Sequence, residues 1–356
     1  MIFAVPSAPT ARQEIEDAIE TSLERLEHRL LPLGDGAHAL ASAIRRATTG
    51  GKRFRPLLVA AAYDTLDGDG VNLSDLWRIS AAFELLHTAF VVHDDVIDHD
   101  LERRGIPNVG GEFRQRGLDK GADETGASLL GTAAGILAGD LLLHEATRLV
   151  ALSNVPAEMR ADLVTLVEDA VIVSTAGELA DVENSITSAD LDPMTILQAT
   201  RDKTAVYSFS APLQAGAVMA GADDSTLHAL KRFGERLGLA YQLIDDLIGA
   251  FGSPEVSGKD EGCDLREAKK THLISLARET ASWPEVSEAL AQAHTGPVAI
   301  RVAQTALANS GARKALERLV YDTLDEAVNI VSLSTLPPEC KTMLIELVDM
   351  VAERVP

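Results

Sequence analysis

The sequence predicts an all-α protein, and three observations support that class. Alanine and leucine are the most frequent residues among the 356, and both are strong helix formers. Aromatic residues make up only 4% of the chain, and β-branched stretches are short, which argues against a large sheet. Apolar residues also recur with helical spacing, most clearly in the series Ile79, Phe83, Leu86 and Phe90.

The predicted helices follow from this periodicity and from the residues that interrupt it. The first runs from Gln13 to Leu31 and ends before a proline, and the second ends where Gly50 begins a glycine pair. Pro56 suits the first turn of the third. After the first helix, the segments predicted to be helical are 37–48, 56–66, 74–99, 128–153 and 156–184, and then those starting near 193, 223, 281 and 310.

Three segments lack a helical period. The polar, glycine-rich stretch 104–126 is expected to form a lid or binding loop, because so long a connection in a compact domain usually has such a role. A second loop is expected over 252–262, and residues 1–10 are expected to be disordered. The length alone allows two domains, but no interdomain linker or internal repeat is evident. We therefore predict one all-helical domain over residues 1–356.

The balance of charge limits the possible partners. Lys and Arg number 32 against 54 Asp and Glu, which gives a net charge of −22 and argues against nucleic-acid or anionic-membrane binding. The two cysteines, Cys263 and Cys340, cannot form a disulfide framework. No long uninterrupted apolar run is present, and the first residues do not resemble a signal peptide. We expect a cytoplasmic protein without integral membrane association.

The strongest chemical signal is the acidic run HDDVIDHD at 93–100. Asp94 and Asp98 are one helical turn apart and share a face, and Asp95 lies beside them. Carboxylates this close repel each other, so the cluster suggests a compensating cation. Oxygen ligands that leave room for water and phosphate favour Mg²⁺, with Mn²⁺ as a possible substitute. The alternative is a solvated helix end, but the two preceding turns are apolar.

A second acidic cluster lies in the segment YQLIDDLIGAFG. Asp245 and Asp246 are embedded in an apolar helix, where two adjacent ionised carboxylates are costly unless they are paired or bound to metal. Gln242 lies three residues earlier on nearly the same face. Two such clusters on separate helices can hold one group of metal ions, and we expect this arrangement.

The scarce basic residues are grouped near these clusters. Lys52 and Arg55 lie in the segment GKRFRP at the entrance of a predicted helix, where free backbone N–H groups favour anions. Arg103 and Arg104 follow the first acidic cluster. Further along the chain, lysines stand at positions 203, 259, 269 and 270. Each alone is consistent with a solvated surface charge, but their alternation with acidic clusters favours phosphate recognition.

Together these motifs resemble the trans-isoprenyl diphosphate synthases, or polyprenyl synthetases. The matching segments, in order, are GKRFRP, ELLHTAFVVHDDVIDHDLERRGIP, GELAD, KTA, YQLIDD and GKDEGCDLREAKKTHL. They extend from about residue 45 to residue 275. The resemblance is closest to actinobacterial geranylgeranyl diphosphate synthases. It implies the all-α isoprenoid synthase fold, with helices around a central cavity, and a homodimer.

The resemblance also implies a reaction and a role for each matching residue. Isopentenyl diphosphate is condensed with an allylic diphosphate (dimethylallyl, geranyl or farnesyl) by ionisation, condensation and elimination. Asp94, Asp98 and Asp245 resemble magnesium ligands, and Asp95 and Asp246 complete the catalytic acidic set. The isopentenyl diphosphate contacts would be Lys52, Arg55, His87 and Arg104. The allylic diphosphate contacts would be Arg103, Lys203, Thr204, Gln242, Lys259 and Lys269.

Two positions depart from the family pattern. The second motif usually reads Asp-Asp-x-x-Asp, but its last position here is Gly249, so the third carboxylate is missing. Glu178 stands where glutamine is common, close to Asp181. Neither change removes Asp245, the residue that resembles the metal ligand.

Residues just before the first acidic cluster are expected to set the product length. In this family, bulk at these positions limits the growing prenyl chain, and the candidates here are Leu86, Ala89 and Phe90. Short-chain members often carry an aromatic residue at the position of Ala89, whereas here the aromatic residue is Phe90. This combination suggests geranylgeranyl diphosphate as the product.

Several other functions remain as alternatives. A farnesyl or longer-chain synthase would share every motif, whereas a class I terpene cyclase would lack GKRFRP. The spacing of Glu84 and His87 fits a ferritin-like carboxylate bundle, but no second such motif exists. A catalytically silent regulatory subunit would be expected to lose the acidic clusters, which are intact here.

Overall fold

The computed structural model describes residues 8–187, 192–252 and 262–356. In this part of the chain the only strands are β1 (Glu102–Arg103) and β2 (Ile106–Pro107). All other regular elements are helical, which confirms the all-α prediction. The α-helices are α1 (Ala8–Leu30), α2 (Asp35–Thr48), α3 (Phe54–Thr65), α4 (Leu73–Ile97), α5 (Val109–Asp119), α6 (Glu124–Ala151), α7 (Ala157–Ile186), α8 (Pro193–Ala205), α9 (Ala211–Met219), α10 (Asp224–Phe251), α11 (Cys263–Arg266), α12 (His272–Arg278), α13 (Trp283–Gln292), α14 (Pro297–Ser310), α15 (Ala312–Leu333) and α16 (Pro338–Ala352).

Short polar residues begin many of these helices. Asn72, for example, accepts a hydrogen bond from the backbone N–H of Ser74 at 2.9 Å, which satisfies one of the donors that every helix leaves open in its first turn. The same type of cap begins α5, α6, α8 and α10, where the capping residues are Asn108, Asp123, Asp192 and Asp223.

The described residues divide into two compact units. Among these residues, the N-terminal unit comprises 8–167 and Gln214–Ala222, and the C-terminal unit comprises 168–187, 192–213, 223–252 and 262–356. The prediction of one domain over residues 1–356 stays a prediction.

The N-terminal unit has α4 at its centre. This helix packs against α1, α3 and α6, and it is buried over most of its length, as its average apolarity requires. The largest enclosed side chains of the helix are Phe83, Leu76, Ile79, Leu85 and Leu86. Because α4 ends at Ile97, Asp94 and Asp95 lie in the last turn of a core helix, and Asp98 is its C-cap.

The expected loop over 104–126 is wrong, since most of this segment is regular structure. Arg104 and Gly105 form a two-residue hairpin turn with φ of 56° and 75°, and this turn pairs β1 with β2. Helix α5 follows, and Asn108 caps it by accepting a hydrogen bond from the N–H of Gly111 at 2.9 Å. Phe113 is buried where α5 packs against α6. The high glycine content of α5 is the reason why a loop was predicted here instead of a helix.

The first helix also begins earlier than expected. Residues 1–7 lie outside the described residues, but α1 starts at Ala8, inside the segment 1–10 that was predicted to be disordered. Proline in the first turn of a helix sacrifices no intrahelical hydrogen bond, so Pro9 does not prevent this start.

The C-terminal unit is organised around α10. This helix packs against α8 and α15 and buries Phe233, Leu237 and Ile244. A five-residue π-helix, Val206–Ser210, lies between α8 and α9 and also packs against α10. Wider turns of this kind are often found at functional sites.

One helix in the described ranges is long and apolar enough to span a membrane. This is α6, whose best window has a mean hydropathy of 1.5, and 39% of that window is buried. Helix α6 carries the fully buried carboxylate of Glu145, which is ion-paired with Arg25 and Arg148. The expectation of no integral membrane association stays a prediction.

Candidate active site

The last turn of α4 brings together the first acidic cluster. Asp94 is half-buried, Asp95 is buried, and Asp98 is exposed at the C-cap, where its N–H bonds to the carbonyl oxygen of Asp94 at 2.8 Å. Negative side chains are unfavourable at a helix C-terminus, because the helix dipole already places negative charge there. The arrangement therefore favours a cation at this end of α4.

Arg103 supplies one such cation from the hairpin. Its guanidinium donates to Oδ1 of Asp95 from Nε at 2.9 Å and from Nη2 at 2.5 Å, and Nη2 lies 3.7 Å from Oδ2 of Asp94. Burial raises the pKa of Asp95 above its ordinary value, and the hydrogen bond from Arg103 acts in the opposite direction. Asp95 is thus held by Arg103, whereas Asp94 and Asp98 are the more exposed carboxylates of the cluster.

Three arginines of the N-terminal unit act on His87, which lies about two turns before Asp94 on α4. The pKa of His87 lies well below 6.5 because burial disfavours the imidazolium and because the charges of Arg55, Arg103 and Arg104 repel it. The structure therefore brings these three arginines close to His87. Lys52 is exposed in the loop that precedes α3.

The shifted pKa of His87 predicts a loss of stability at acid pH. In the unfolded chain the imidazole takes up a proton near pH 6.5, whereas the folded chain resists protonation until lower pH. The contribution is therefore fully present above the unfolded pKa and declines as the pH falls towards the folded pKa. Urea unfolding between about pH 8 and pH 5 should show a weaker decline for His87→Gln than for the natural chain. Equal declines would contradict this reading.

In the C-terminal unit, Asp245 is paired with an arginine that the motifs do not contain. Nη2 of Arg354, just beyond α16, donates to Oδ1 of Asp245 at 2.5 Å. The same guanidinium lies over the ring of Tyr241, 3.9 Å from its centre. The carboxylate of Asp245 on α10 is therefore already ion-paired with Arg354.

Lys203, Thr204 and Gln242 each have a defined partner in this unit. Nζ of Lys203 lies 3.0 Å from Glu178 and 3.1 Å from Asp181, both on α7. The hydroxyl of Thr204 donates to Oε1 of Gln242 at 3.1 Å, which orients the amide. The GELAD and KTA motifs are thus adjacent in the structure.

The GELAD motif begins with Gly177, which lies against the backbone of α8. A Cβ at this position would lie 2.2 Å from the backbone nitrogen of Lys203. Only glycine allows α7 to approach α8 this closely. The approach places the carboxylates of Glu178 and Asp181 against the ammonium of Lys203.

Asp246 differs from its neighbour Asp245. Its carboxyl is buried and accepts a hydrogen bond from the backbone N–H of His272 at 3.3 Å. Burial and the nearby charge of Asp264 raise the pKa of Asp246 well above 3.8. The two adjacent aspartates thus have different environments, and Asp245 is the one nearer to solvent.

The position of the missing third carboxylate is filled by another acid. A Cβ at Gly249 would lie 1.9 Å from Oδ2 of Asp264 in α11. Nearby, Nζ of Lys269 is 3.9 Å from Asp264 and 3.4 Å from Glu267. Asp264 therefore occupies the space that an aspartate at position 249 would need.

Comparison with known proteins then decides the family. The family model for polyprenyl synthetases matches residues 37–306. The chain belongs to the polyprenyl synthetase family. The geranylgeranyl diphosphate synthase of Mycobacterium tuberculosis is 32% identical over 297 residues, which cover 82% of this chain and 76% of that protein. The geranylfarnesyl diphosphate synthase of Aeropyrum pernix is 30% identical over 314 residues, which cover 86% of this chain and 91% of that protein.

A solved structure agrees with this assignment. The crystal structure of geranylgeranyl pyrophosphate synthase from Corynebacterium glutamicum, complexed with isoprenyl diphosphate and magnesium, matches with a TM-score of 0.89. The two sequences are 27% identical, and the match covers 97% of this chain and 98% of that chain. The resemblance drawn from the motifs is confirmed, and this polyprenyl synthetase is a trans-prenyltransferase.

The residues predicted to set product length lie along α4 of the polyprenyl synthetase. Ala89 has no exposed surface and Leu86 only 1%, so both are enclosed by protein, whereas Phe90 is half-buried. Of the three, only Phe90 has an appreciable exposed surface. Lys259, predicted to hold the allylic diphosphate, lies outside the described residues.

Sequence reasoning missed the partners that fix this polyprenyl synthetase's site. They include Arg354, which pairs with Asp245, and Asp264, which fills the place beside Gly249. No local pattern indicates the contact of Arg354, because 109 residues separate it from Asp245. Only Asp264 offered a signal, since it lies inside the last matching motif.

Proposed function

We propose that this trans-prenyltransferase condenses isopentenyl diphosphate head-to-tail with an allylic diphosphate and that its main product is geranylgeranyl diphosphate. The observation that carries the proposal is the group of Arg55, Arg103 and Arg104 around a neutral His87, on the helix that ends in Asp94. Guanidinium groups bind phosphate oxygens through paired hydrogen bonds. The product follows the names of the relatives from M. tuberculosis and C. glutamicum.

We assign the two diphosphates to different residues. Isopentenyl diphosphate would contact Lys52, Arg55, His87 and Arg104. The residues for the allylic diphosphate would be Arg103, Lys203, Thr204, Gln242, Lys259 and Lys269. Lys203 is held by two carboxylates, so its ammonium is preorganised before any substrate arrives.

The acidic residues fit a divalent cation, which we propose is Mg²⁺. No group of three or more Asp, Glu, His or Cys within the described residues is arranged to hold a metal. Mg²⁺ is commonly bound by one or two carboxylates together with water and phosphate oxygens, so a complete protein cage is not required. Asp94 on α4, Asp98 at the C-cap of α4 and Asp245 on α10 would supply such oxygen donors. Mn²⁺ accepts similar ligands and is proposed as a substitute.

The chain's own residues account for most of the mechanism. The C1–O bond of the allylic diphosphate breaks, and its electron pair leaves with the diphosphate. Divalent cations, when bound, neutralise that leaving group. Arg103 and Lys203 add fixed positive charge, and oxygen atoms around Thr204 and Gln242 stabilise the allylic cation. The isopentenyl double bond attacks C1, and the released diphosphate removes the proton that restores the double bond.

We also propose that the protein is a cytoplasmic homodimer. Helix α6 exposes the large apolar side chains of Leu129, Ile136 and Leu137, which are 70%, 44% and 54% exposed. Apolar side chains repeated along one helix commonly mark a protein interface. A second copy of the chain would cover them. Sedimentation of the purified protein tests whether it is a dimer.

One assay separates the proposed function from its alternatives. The purified protein is incubated with Mg²⁺, labelled isopentenyl diphosphate and each allylic primer in turn, and the products are measured by chain length. Geranylgeranyl diphosphate as the main product supports the proposal. Farnesyl or longer products would correct the chain length alone. A cyclised hydrocarbon, or no product from any primer, would favour a cyclase or a silent subunit.

Phe90→Ala is expected to lengthen the products. Phe90 is one turn before Asp94, or about 6 Å along the helix axis, where its ring would meet the end of a growing prenyl chain. Chromatography of the products should show a shift from geranylgeranyl diphosphate towards longer species. Leu86→Ala, deeper in the same helix, serves as a comparison because its side chain is enclosed. An unchanged product distribution in Phe90→Ala would remove the assignment.

A further inference from the structure

The GKRFRP motif contains a third cation, Arg53, that the substrate assignments leave out. Its side chain is only 3% exposed, and its backbone has φ of 52° and ψ of 39°. This left-handed conformation is uncommon for an arginine. Backbone strain and a buried charge both cost free energy, so they persist only where the surrounding contacts compensate.

The guanidinium of Arg53 contacts three helices of the N-terminal unit. Nε and Nη2 donate to the two carboxylate oxygens of Glu16 on α1, at 2.8 and 2.7 Å. Nη1 donates to the carbonyl oxygen of Thr48 at the end of α2 and to Oε1 of Glu84 on α4, both at 2.9 Å. Arg53 therefore fixes the start of α3 to α1, α2 and α4 at the same time.

These contacts leave Arg53 poorly suited to hold a substrate. All three of its nitrogens already donate to protein oxygens, and the side chain has almost no surface that a phosphate could reach. Its neighbours differ, because Lys52 is exposed and Arg55 is only partly buried. A further contact holds the same loop, since Nη2 of Arg12 on α1 donates to the carbonyl oxygen of Gly51 at 2.9 Å.

The contact with Glu84 relates this loop to His87. Glu84 and His87 are three residues apart on α4, less than one helical turn. Arg53 is thus attached to α4 beside His87, while its chain neighbours carry the cations assigned to isopentenyl diphosphate. We propose that Arg53 is a positioning residue, which holds Lys52 and Arg55 in place relative to His87 and does not itself touch substrate. This inference rests on the proposed function of those residues.

Arg53→Lys tests the inference while keeping the charge. One ammonium cannot reproduce the planar guanidinium's contacts with Glu16, Thr48 and Glu84 together. We expect KM for isopentenyl diphosphate to rise about 10-fold, with kcat and KM for the allylic substrate within about twofold. Calorimetric titration of the variant with isopentenyl diphosphate should show the same loss of affinity.

Arg25→Lys is the matched control. Arg25 pairs with the buried Glu145, so it also joins α1 to a core helix of the same unit, but it lies outside every motif. The control is expected to lower Tm and to leave KM for isopentenyl diphosphate unchanged. Should Arg53→Lys lower Tm and leave that KM at the natural value as well, Arg53 would be merely structural and the inference overturned. Equal losses in kcat and in both KM values would overturn it too.

Two further variants keep the test decisive. If Arg53→Lys does not fold, Glu84→Gln weakens only the contact with α4, and it should raise KM for isopentenyl diphosphate in the same direction by a smaller factor. An unchanged KM in Glu84→Gln would overturn the inference.

Arg55→Ala separates the inference from the proposed function: if it leaves KM for isopentenyl diphosphate unchanged, the substrate assignment fails. If Arg55→Ala raises KM and Arg53→Lys does not, only the inference fails.

Discussion

Asp94→Asn is expected to lower kcat by about 10³-fold, a loss of the size seen when one group that stabilises developing charge is removed. The amide keeps the shape of the side chain but lacks the negative charge that strengthens binding of a divalent cation. Steady-state assays at increasing Mg²⁺ should show that higher metal concentration restores only part of the rate. Tm should not fall, because a negative charge at the C-terminus of α4 is removed.

Asp100→Asn is the control for this result. Asp100 belongs to the same acidic run but lies beyond the end of α4 and is exposed. Its substitution should change kcat by less than about twofold, since surface substitutions away from special features have small effects. If Asp94→Asn were as active as Asp100→Asn, Asp94 would not be a metal ligand.

A double variant, Asp94→Asn with Asp245→Asn, tests whether the two clusters act together, because residues that act as a unit give non-additive losses in rate.

The second large effect is expected from restoring the family pattern at position 249. Gly249→Asp would place its Cβ 1.9 Å from the carboxylate of Asp264 and add another acid to a site that already holds Asp246 and Asp264. Overpacking costs about 1–3 kcal/mol, and an unpaired buried charge costs more. We expect the free energy of unfolding to fall by about 3 kcal/mol or more, measured by urea denaturation, with a matching loss of activity.

Two variants separate the causes of this loss. Gly249→Ala adds the Cβ without the charge, and it should be milder because the end of the Asp264 side chain can move. Combining Gly249→Asp with Asp264→Ala removes the obstacle and should recover most of the stability. A single Gly249→Asp variant that is as stable as the natural chain would show that Asp264 does not occupy this space.

The helices could be predicted from the sequence because burial imposes their periodicity. Helix α4 was predicted over 74–99 and is observed over Leu73–Ile97, since its apolar series continues almost to the acidic run. Helix α5 was missed because its glycines resemble those of a flexible loop. In fact Asn108 caps the helix and Phe113 anchors it. Composition alone cannot distinguish a glycine that permits close packing from one that permits flexibility.

The site could be predicted only in part. The acidic and basic motifs indicated which residues carry the chemistry, because a charged residue in an apolar segment costs free energy unless it is paired or bound to a metal. The partners of those residues were not predictable, as the pairing of Asp245 with Arg354 illustrates. Such contacts depend on which helices meet, and one sequence contains no record of that. The role of Arg53 was hidden for the same reason, since its carboxylate partners lie on α1 and α4.

The π-helix after Lys203 has a consequence for how this chain tolerates deletions. Its five residues wind more widely than an α-helix, and the ring of Phe209 within it packs 5.4 Å from that of Tyr241 on α10. Loss of one residue between 206 and 210 would let this turn close to ordinary α-helical winding, because five residues in the wider turn cover about the same angle as four in an α-helix. Thr204 would then keep its direction towards Gln242. Loss of one residue from a regular turn of α8 would instead rotate the KTA motif by about 100°.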